Sequence, residues 1–98
     1  MKMIHEAIAG TLESSDLLVK VSPSDTGTRE IVVRSEVLKR FGRQITLVVT
    51  DTLDRLSVSE GSIVIDDKGA LDCVIRARVQ AAVLRGAGAD HSPCGRPS

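Results

Sequence analysis

Alternation of apolar and polar residues runs through the first third of the chain. Two stretches of short polar residues interrupt it, ESSD at 13–16 and SPSDTGT at 22–28, and such side chains favour turns. A period of two is typical of half-buried strands, so we predict three strands joined as a meander. The residues predicted to form the apolar faces are Ile8, Gly10 and Leu12, then Leu17, Val19 and Val21, then Ile31 and Val33.

A helical period replaces the alternation from Ser35 onward. Ser35 is the predicted N-cap, and Glu36 follows in the first turn, where the helix dipole favours an anion. Residues 45–50 (ITLVVT) are rich in β-branched side chains and, taken alone, also suit a strand. We predict a helix because the apolar stripe continues for about twenty residues without a turn signal. Its members are Val37, Leu38, Phe41, Ile45, Val48, Val49, Leu53 and Leu56.

The remaining sequence predicts a strand, a turn and a second helix. Residues 62–65 form the strand and residues 66–69 (DDKG) the turn, with Asp66 or Asp67 as a candidate cap for a helix over 70–84. Gly86 or Gly88 is expected to end that helix. The order β-β-β-α-β-α predicts an α+β fold: a two-layer sandwich in which a small, mainly antiparallel sheet carries both helices on one face.

The chain length fits a single domain over residues 1–86. Residues 87–98 (AGADHSPCGRPS) are rich in Gly, Pro and Ser and lack apolar periodicity. We therefore expect a flexible C-terminal tail there.

Composition narrows the functional classes. Phe41 is the only aromatic residue, and thirteen basic and thirteen acidic residues give a formal net charge of zero. Neither an aromatic stacking platform nor a basic stripe for nucleic acid is indicated. The sequence shows no apolar stretch of membrane-spanning length and no signal-peptide pattern, so we expect a cytoplasmic protein without a membrane segment. Cys73 and Cys94 are not spaced like zinc ligands, and we interpret them as a small apolar helix residue and a tail thiol.

Little in the chain suggests a self-sufficient enzyme. His5 and His91 lie near opposite ends and have no pattern that pairs them with a nucleophile. The arginines of the second helix are interpreted as its solvated face, with a phosphate contact as the alternative. Serine hydroxyls in the turn at 13–16 remain, where exposure and an adaptable backbone suit modification by another enzyme. A plain role in forming the turn explains these serines equally well.

Three segments of the chain resemble the acyl carrier protein, or gamma subunit, of bacterial citrate lyase. They are residues 9–16 (AGTLESSD), 41–42 (FG) and, above all, 64–78 (VIDDKGALDCVIRAR). The resemblance extends from the N-terminus to about Gly88 with matching spacing. In that family the serine of the AGTLES segment carries a 2′-(5″-phosphoribosyl)-3′-dephospho-CoA group through a phosphodiester bond. The match puts this attachment at Ser14, with Ser15 as the alternative.

The resemblance also implies partners and a reaction. A prosthetic-group transferase installs the cofactor, whose thiol is acetylated in the active complex. The alpha subunit (acyl transferase) exchanges acetyl for citryl, and the beta subunit (citryl lyase) releases oxaloacetate and regenerates the acetyl thioester. The chain itself is then a non-catalytic subunit of the lyase. Asp66, Asp67, Lys68 and Gly69 either cap the second helix or form a recognition edge near the cofactor arm.

Two other functions stay open at this point. A malonate decarboxylase carrier uses a similar cofactor on a serine and differs in its acyl group. A small α+β module that binds a partner without covalent modification is the alternative from another class.

Overall fold

A computed structural model describes residues 2–35 and 38–88, and the side chains of residues 38–42 lie outside that description. Six elements follow in the predicted order, which the structure confirms. They are β1 (Ala7–Gly10), β2 (Leu17–Ser22), β3 (Arg29–Ser35), α1 (Leu38–Arg55), β4 (Gly61–Asp67) and α2 (Asp72–Gly86).

The four strands form one mixed sheet in the order β1-β2-β4-β3. β1 pairs with β2 and β2 pairs with β4 in antiparallel fashion, whereas β3 pairs with β4 in parallel. The predicted meander is therefore correct for β1 and β2 and wrong for β3, because β4 lies between β2 and β3. The helix α1 connects β3 to β4, and a helical crossover is the usual link between parallel neighbours.

Both helices pack on one face of the sheet, as predicted. Leu17, Val19 and Val21 of β2 are fully buried there, and so are Ile63 and Ile65 of β4. The helix α2 lies over β1 and β2, while α1 packs against α2 and β3. The resulting α+β sandwich has an aliphatic core that is continuous from the sheet into both helices.

The other face of the sheet is open, and it holds some of the apolar residues of β1. The side chain of Ile8 is 54% exposed, whereas Ala9 is buried and Ala7 packs against the core. Leu12 lies beyond the end of β1 and is also exposed. The predicted apolar face of this strand is thus the outer one, because small alanines make the close contact with α2 and leave the larger side chain outside.

Residues 45–50 lie within α1, which confirms the helix over the competing strand. Its buried positions include Ile45, Val48, Val49 and Leu53, which follow the predicted stripe. Ser35, the predicted N-cap, is the last residue of β3, and its hydroxyl donates to Asp67 Oδ2 at 2.9 Å. Glu36, Val37 and the side chains of Leu38 and Phe41 lie outside the description.

The helix α2 begins later than predicted, and neither aspartate of the preceding turn caps it. Its N-cap residue is Leu71, which is 71% exposed and makes no capping hydrogen bond through its side chain. The helix ends at Gly86, one of the two predicted positions. The expected flexible tail falls mostly on residues 89–98, which lie outside the described residues. Neither described helix is long and apolar enough to cross a membrane.

Candidate functional site

Ser14 lies at the tip of the turn that joins β1 to β2. Its side chain is exposed, and within residues 2–35 and 38–88 its hydroxyl makes no hydrogen bond. Ser15 is also exposed but has a φ of 66°, in the left-handed region. Its backbone N–H donates to the carbonyl of Lys68 at 2.9 Å. The two adjacent serines therefore differ in backbone and not in hydroxyl access: neither hydroxyl makes a hydrogen bond within the described residues, but only Ser15 lies in the left-handed region and bonds Lys68 through its N–H.

Asp16 is the main hydrogen-bond acceptor of this turn. Its carboxylate accepts from the Thr11 hydroxyl at 2.8 Å and from the backbone N–H of Leu17 at 2.8 Å. Arg78 of α2 donates to both carboxylate oxygens, from Nε and Nη2, each at 3.1 Å. Only 15% of the Asp16 side chain is exposed. Charge-assisted bonds of this bidentate kind are stronger than neutral ones and fix orientation.

The same contacts lower the pKa of Asp16. The Arg78 guanidinium contributes most, the Thr11 hydroxyl and the Leu17 N–H add to it, and together they lower the pKa from 3.8 to about 2. Each of these groups stabilises the charged carboxylate more than the neutral acid. Asp16 is therefore a fixed anion at neutral pH.

Gly10, at the end of β1, allows the turn to close. It has a φ of 93°, and a Cβ at this position would lie 1.9 Å from the Leu17 carbonyl oxygen and 3.3 Å from Arg78 Cδ. The Thr11 N–H also donates to the Leu17 carbonyl, at 3.1 Å. Only glycine combines the positive φ with this close approach.

The turn at 66–69 lies directly against the serine turn. Besides accepting from Ser15, the backbone of Lys68 donates its N–H to the Asp16 carbonyl at 2.9 Å. These two bonds continue the β2–β4 pairing beyond its last strand partners, Leu17 and Asp67.

Within the turn at 66–69 the four predicted residues differ in environment. Asp67 is 2% exposed, and its carboxylate accepts from the Ala70 N–H at 2.9 Å and from the Ser35 hydroxyl. Asp67 thus holds its own turn rather than a helix end. Asp66 and Lys68 are half-buried and line a small cleft of about 190 Å³ with Arg34 and Ser35, while Gly69 is exposed.

Other reactive groups lie elsewhere or outside the description. His5 is next to Gly86 and Gly88, at the end of α2. Cys73 is an exposed residue of α2, and His91 and Cys94 are not among the described residues. The described part of the chain contains no group of three or more His, Cys, Asp or Glu residues that could hold a metal ion.

Sequence reasoning missed Arg78 and its contact with Asp16. The sequence predicts a solvated face for the arginines of α2, yet Arg78 bonds Asp16, and Arg76 bonds Asp51 of α1 at 2.7 Å. Arg78 and Asp16 are 62 positions apart, so no local pattern links them. Helical spacing could have indicated that Arg78 is not fully solvated, because it precedes the buried Val79 and so lies beside the packed face of α2.

An exposed serine on a fixed turn is accessible to modification by another enzyme, as a carrier protein requires. Comparisons with known proteins agree with this class. Residues 4–86 match the family model described as malonate decarboxylase delta subunit. The chain is also 66% identical over 85 residues to the citrate lyase acyl carrier protein of Pectobacterium atrosepticum, covering 87% of this chain and 88% of that protein.

A second relative and a solved structure extend the comparison. The citrate lyase acyl carrier protein of Albidiferax ferrireducens is 59% identical over 88 residues, with 90% of each chain covered. A chain in the crystal structure of a Pseudomonas malonate decarboxylase hetero-tetramer in complex with malonate has the same fold, with a TM-score of 0.72 and 25% identity, covering 83% of this chain and 82% of that one. The chain described here belongs to the citrate lyase acyl carrier protein family.

Proposed function

We propose that this chain is the acyl carrier subunit of a citrate lyase and that Ser14 carries a 2′-(5″-phosphoribosyl)-3′-dephospho-CoA arm through a phosphodiester bond. Its partners are then the alpha and beta subunits of the lyase and the transferase that attaches the arm, and its compartment is the cytoplasm. The observation that carries this proposal is the exposed Ser14 hydroxyl, which makes no hydrogen bond within the described residues.

The environment of Ser14 fits covalent attachment by another enzyme. An acceptor hydroxyl must be accessible and must not be occupied by a structural hydrogen bond, and Ser14 meets both conditions. A serine attacks a phosphate or acyl group only when a base accepts its proton. The only described histidine, His5, lies by the end of α2 rather than at the serine turn, and the Asp16 carboxylate already accepts from Thr11, Leu17 and Arg78. We therefore expect the transferase to supply that base.

The division of labour between protein and arm follows from this arrangement. The arm, when attached, supplies the thiol on which the complex cleaves citrate to acetate and oxaloacetate. The protein supplies a rigid origin for the arm, because Asp16 and the Lys68 backbone hold both sides of the turn. A flexible arm on a fixed origin keeps its end at high effective concentration near two active sites.

Intact-protein mass and peptide mapping test the attachment. The protein is co-expressed with the transferase and the cofactor-synthesis enzymes, alongside Ser14→Ala and the matched control Ser15→Ala. We expect a mass increase equal to the phosphoribosyl-dephospho-CoA group in the wild type and in Ser15→Ala, mapped to Ser14, and none in Ser14→Ala. A folded wild type that stays unmodified by an active transferase would contradict the carrier proposal and favour a module that binds a partner non-covalently.

A malonate decarboxylase carrier is the second candidate. The family model's description and the solved structure both point to malonate decarboxylase, whereas the relatives at 59–66% identity are citrate lyase carriers. Reconstitution distinguishes the two. We expect the modified protein to restore citrate cleavage when mixed with citrate lyase alpha and beta subunits, and to leave malonate decarboxylase subunits inactive.

We also propose that the turn of Asp66, Asp67, Lys68 and Gly69 forms a recognition edge beside the arm, with Asp66, Lys68 and Gly69 as its accessible residues and the buried Asp67 holding the turn. Support comes from the backbone bonds between Lys68 and the residues that follow Ser14, and from the absence of a side-chain cap on α2. A lyase assay on modified Lys68→Ala protein tests this. We expect lower activity with unchanged thermal unfolding. Unchanged activity would show that Lys68 takes no part in recognition.

A further inference from the structure

Arg78 extends from the middle of α2 to the serine turn. Its Nε and Nη2 atoms each donate to a different oxygen of Asp16 at 3.1 Å. Gly10 leaves room for the side chain, since a Cβ there would lie 3.3 Å from Arg78 Cδ. Within the described residues, this is the one side-chain ion pair that joins the serine turn to a helix.

Asp16, which Arg78 holds in place, bonds groups on both sides of Ser14. On the following side its carboxylate accepts from the Leu17 N–H at 2.8 Å. On the preceding side it accepts from the Thr11 hydroxyl, whose oxygen in turn accepts from the Glu13 N–H at 3.2 Å. The Asp16 N–H then closes the loop on the Glu13 carbonyl at 3.1 Å. The Asp16 carboxylate therefore contacts groups on both sides of Ser14, in addition to the backbone bonds from Lys68.

We propose that Arg78 is a positioning residue for the modification of Ser14: by fixing Asp16 it fixes the direction in which the serine hydroxyl leaves the turn. This inference rests on the proposed attachment at Ser14. A pre-oriented hydroxyl meets the transferase without an ordering cost. When Arg78 is lost, the turn must be ordered within the encounter complex, which slows transfer even though the acceptor atom is unchanged.

Arg76 provides a matched control on the same helix. It lies two residues before Arg78, and its side chain is 40% exposed, compared with 42% for Arg78. It also forms an ion pair, to Asp51 of α1 at 2.7 Å. Arg76→Gln and Arg78→Gln therefore each remove one half-exposed ion pair of α2, but only the second of these pairs touches the serine turn.

The test compares steady-state transfer of the prosthetic group onto the wild type, Arg76→Gln, Arg78→Gln and Arg78→Lys by purified transferase. For Arg78→Gln we expect kcat/KM to fall roughly tenfold, with Arg76→Gln within about twofold of the wild type, as follows from a misplaced acceptor. Arg78→Lys should lie between these values because it keeps the charge and loses the bidentate geometry. Asp16→Asn is the second route to the same loss if Arg78→Gln folds poorly by circular dichroism.

Amide hydrogen exchange on the unmodified proteins gives a readout that does not depend on the transferase. The amides of residues 13–17 should exchange faster in Arg78→Gln than in Arg76→Gln, with no difference in the rest of the sheet. Equal transfer kinetics in the two glutamine variants, or equal exchange in the turn, overturns the positioning role. A wild type that accepts no group contradicts the proposed function itself, and the exchange comparison then still decides whether Arg78 orders the turn.

Discussion

Ser14 and Ser15 have the same side chain, and only the backbone distinguishes them. Ser15 occupies the left-handed region at a φ of 66°, and its N–H is bound to Lys68. A non-glycine residue in that region carries a steric cost, because its Cβ approaches the following carbonyl. The Ser15 conformation is therefore imposed by its neighbours, and the turn they impose leaves the Ser14 hydroxyl exposed.

Substitution of Ser15 tests this account of the turn. Ser15→Val should lower the free energy of unfolding by about 1–2 kcal/mol, because a β-branched side chain tolerates a positive φ poorly. Ser15→Gly should match or exceed the wild type. Ser57, with a φ of 58° outside the site, is the matched control. Ser57→Val should show a loss at least as large in urea unfolding while leaving modification of Ser14 unchanged. Equal stability of Ser15→Val and Ser15→Gly would contradict a steric cost at Ser15.

The pKa of Asp16 predicts an acid-sensitive turn. Arg78, Thr11 and the Leu17 N–H lower it to about 2 in the folded protein, against 3.8 for the free group. Because the folded pKa is the lower one, the stabilisation is fully present above about pH 4 and is lost as the pH falls toward 2. An NMR titration should find the Asp16 carboxyl titrating near pH 2 in the wild type and closer to its ordinary value in Arg78→Gln. If the titration midpoint of Asp16 is the same in Arg78→Gln as in the wild type, Arg78 is not the main cause of the lowered pKa.

Local sequence reasoning located the serine turn but not the residues that hold it, and the choice of Ser14 within the turn rests on the family resemblance. The motif at 9–16 suffices to locate the turn, since its short polar residues have local preferences. The Arg78–Asp16 pair depends on packing α2 against β1 and β2, which no short segment encodes. Asp67 shows the same limit: its position suggested a helix cap, yet its buried carboxylate bonds Ser35 and Ala70 within the loop.

At the scale of elements, Gly10 decides whether β1 and β2 can close the serine turn. Gly10→Ala places a Cβ 1.9 Å from the Leu17 carbonyl oxygen, while the same change at Gly27, with a φ of 74°, meets nothing within 4 Å. Both variants carry the cost of a positive φ, about 1 kcal/mol. Gly10→Ala should lose at least roughly 2 kcal/mol more than Gly27→Ala, since backbone must move to relieve the clash. Chemical denaturation of the two proteins measures this difference, and similar midpoints would rule out the close approach.

The order of strands and helices could be predicted, whereas the pairing of the strands could not. Periodicity reports which residues share a face, and β2 and α1 follow it closely. It does not report which strand lies next to which, and the loop between β2 and β3 suits a hairpin as well as a longer connection. The parallel pairing of β3 with β4 arises because α1 returns the chain beside β3, which is a tertiary property. Alternation likewise does not predict which face of β1 packs against α2: the alanines face the helix, and Ile8 does not.

For the molecule as a whole, a largely aliphatic core supports the elements on which the serine turn rests. Among the side chains that the structure describes, the large ones that are fully buried are aliphatic apart from Asp67. A domain of this size has a stability of roughly 5–15 kcal/mol, so a single core defect is a large fraction of it. Rigidity at Ser14 therefore depends on residues far from the site, because α2 carries Arg78 and is itself held by the core.

Two leucines of α1 test that dependence. Leu53 is fully buried, whereas Leu47 is 58% exposed on the same helix. Leu53→Ala should lower the free energy of unfolding by about 2–5 kcal/mol through lost burial and the cavity left behind, and Leu47→Ala should stay within about 0.5 kcal/mol of the wild type. Thermal unfolding by circular dichroism measures both. Amide exchange in residues 13–17 should rise in Leu53→Ala and not in Leu47→Ala, because loosening the core releases α2 and with it the Arg78 anchor. A destabilised Leu53→Ala with an unchanged turn would mean that the turn is held locally, by its own hydrogen bonds and the Lys68 backbone, rather than by the fold as a whole.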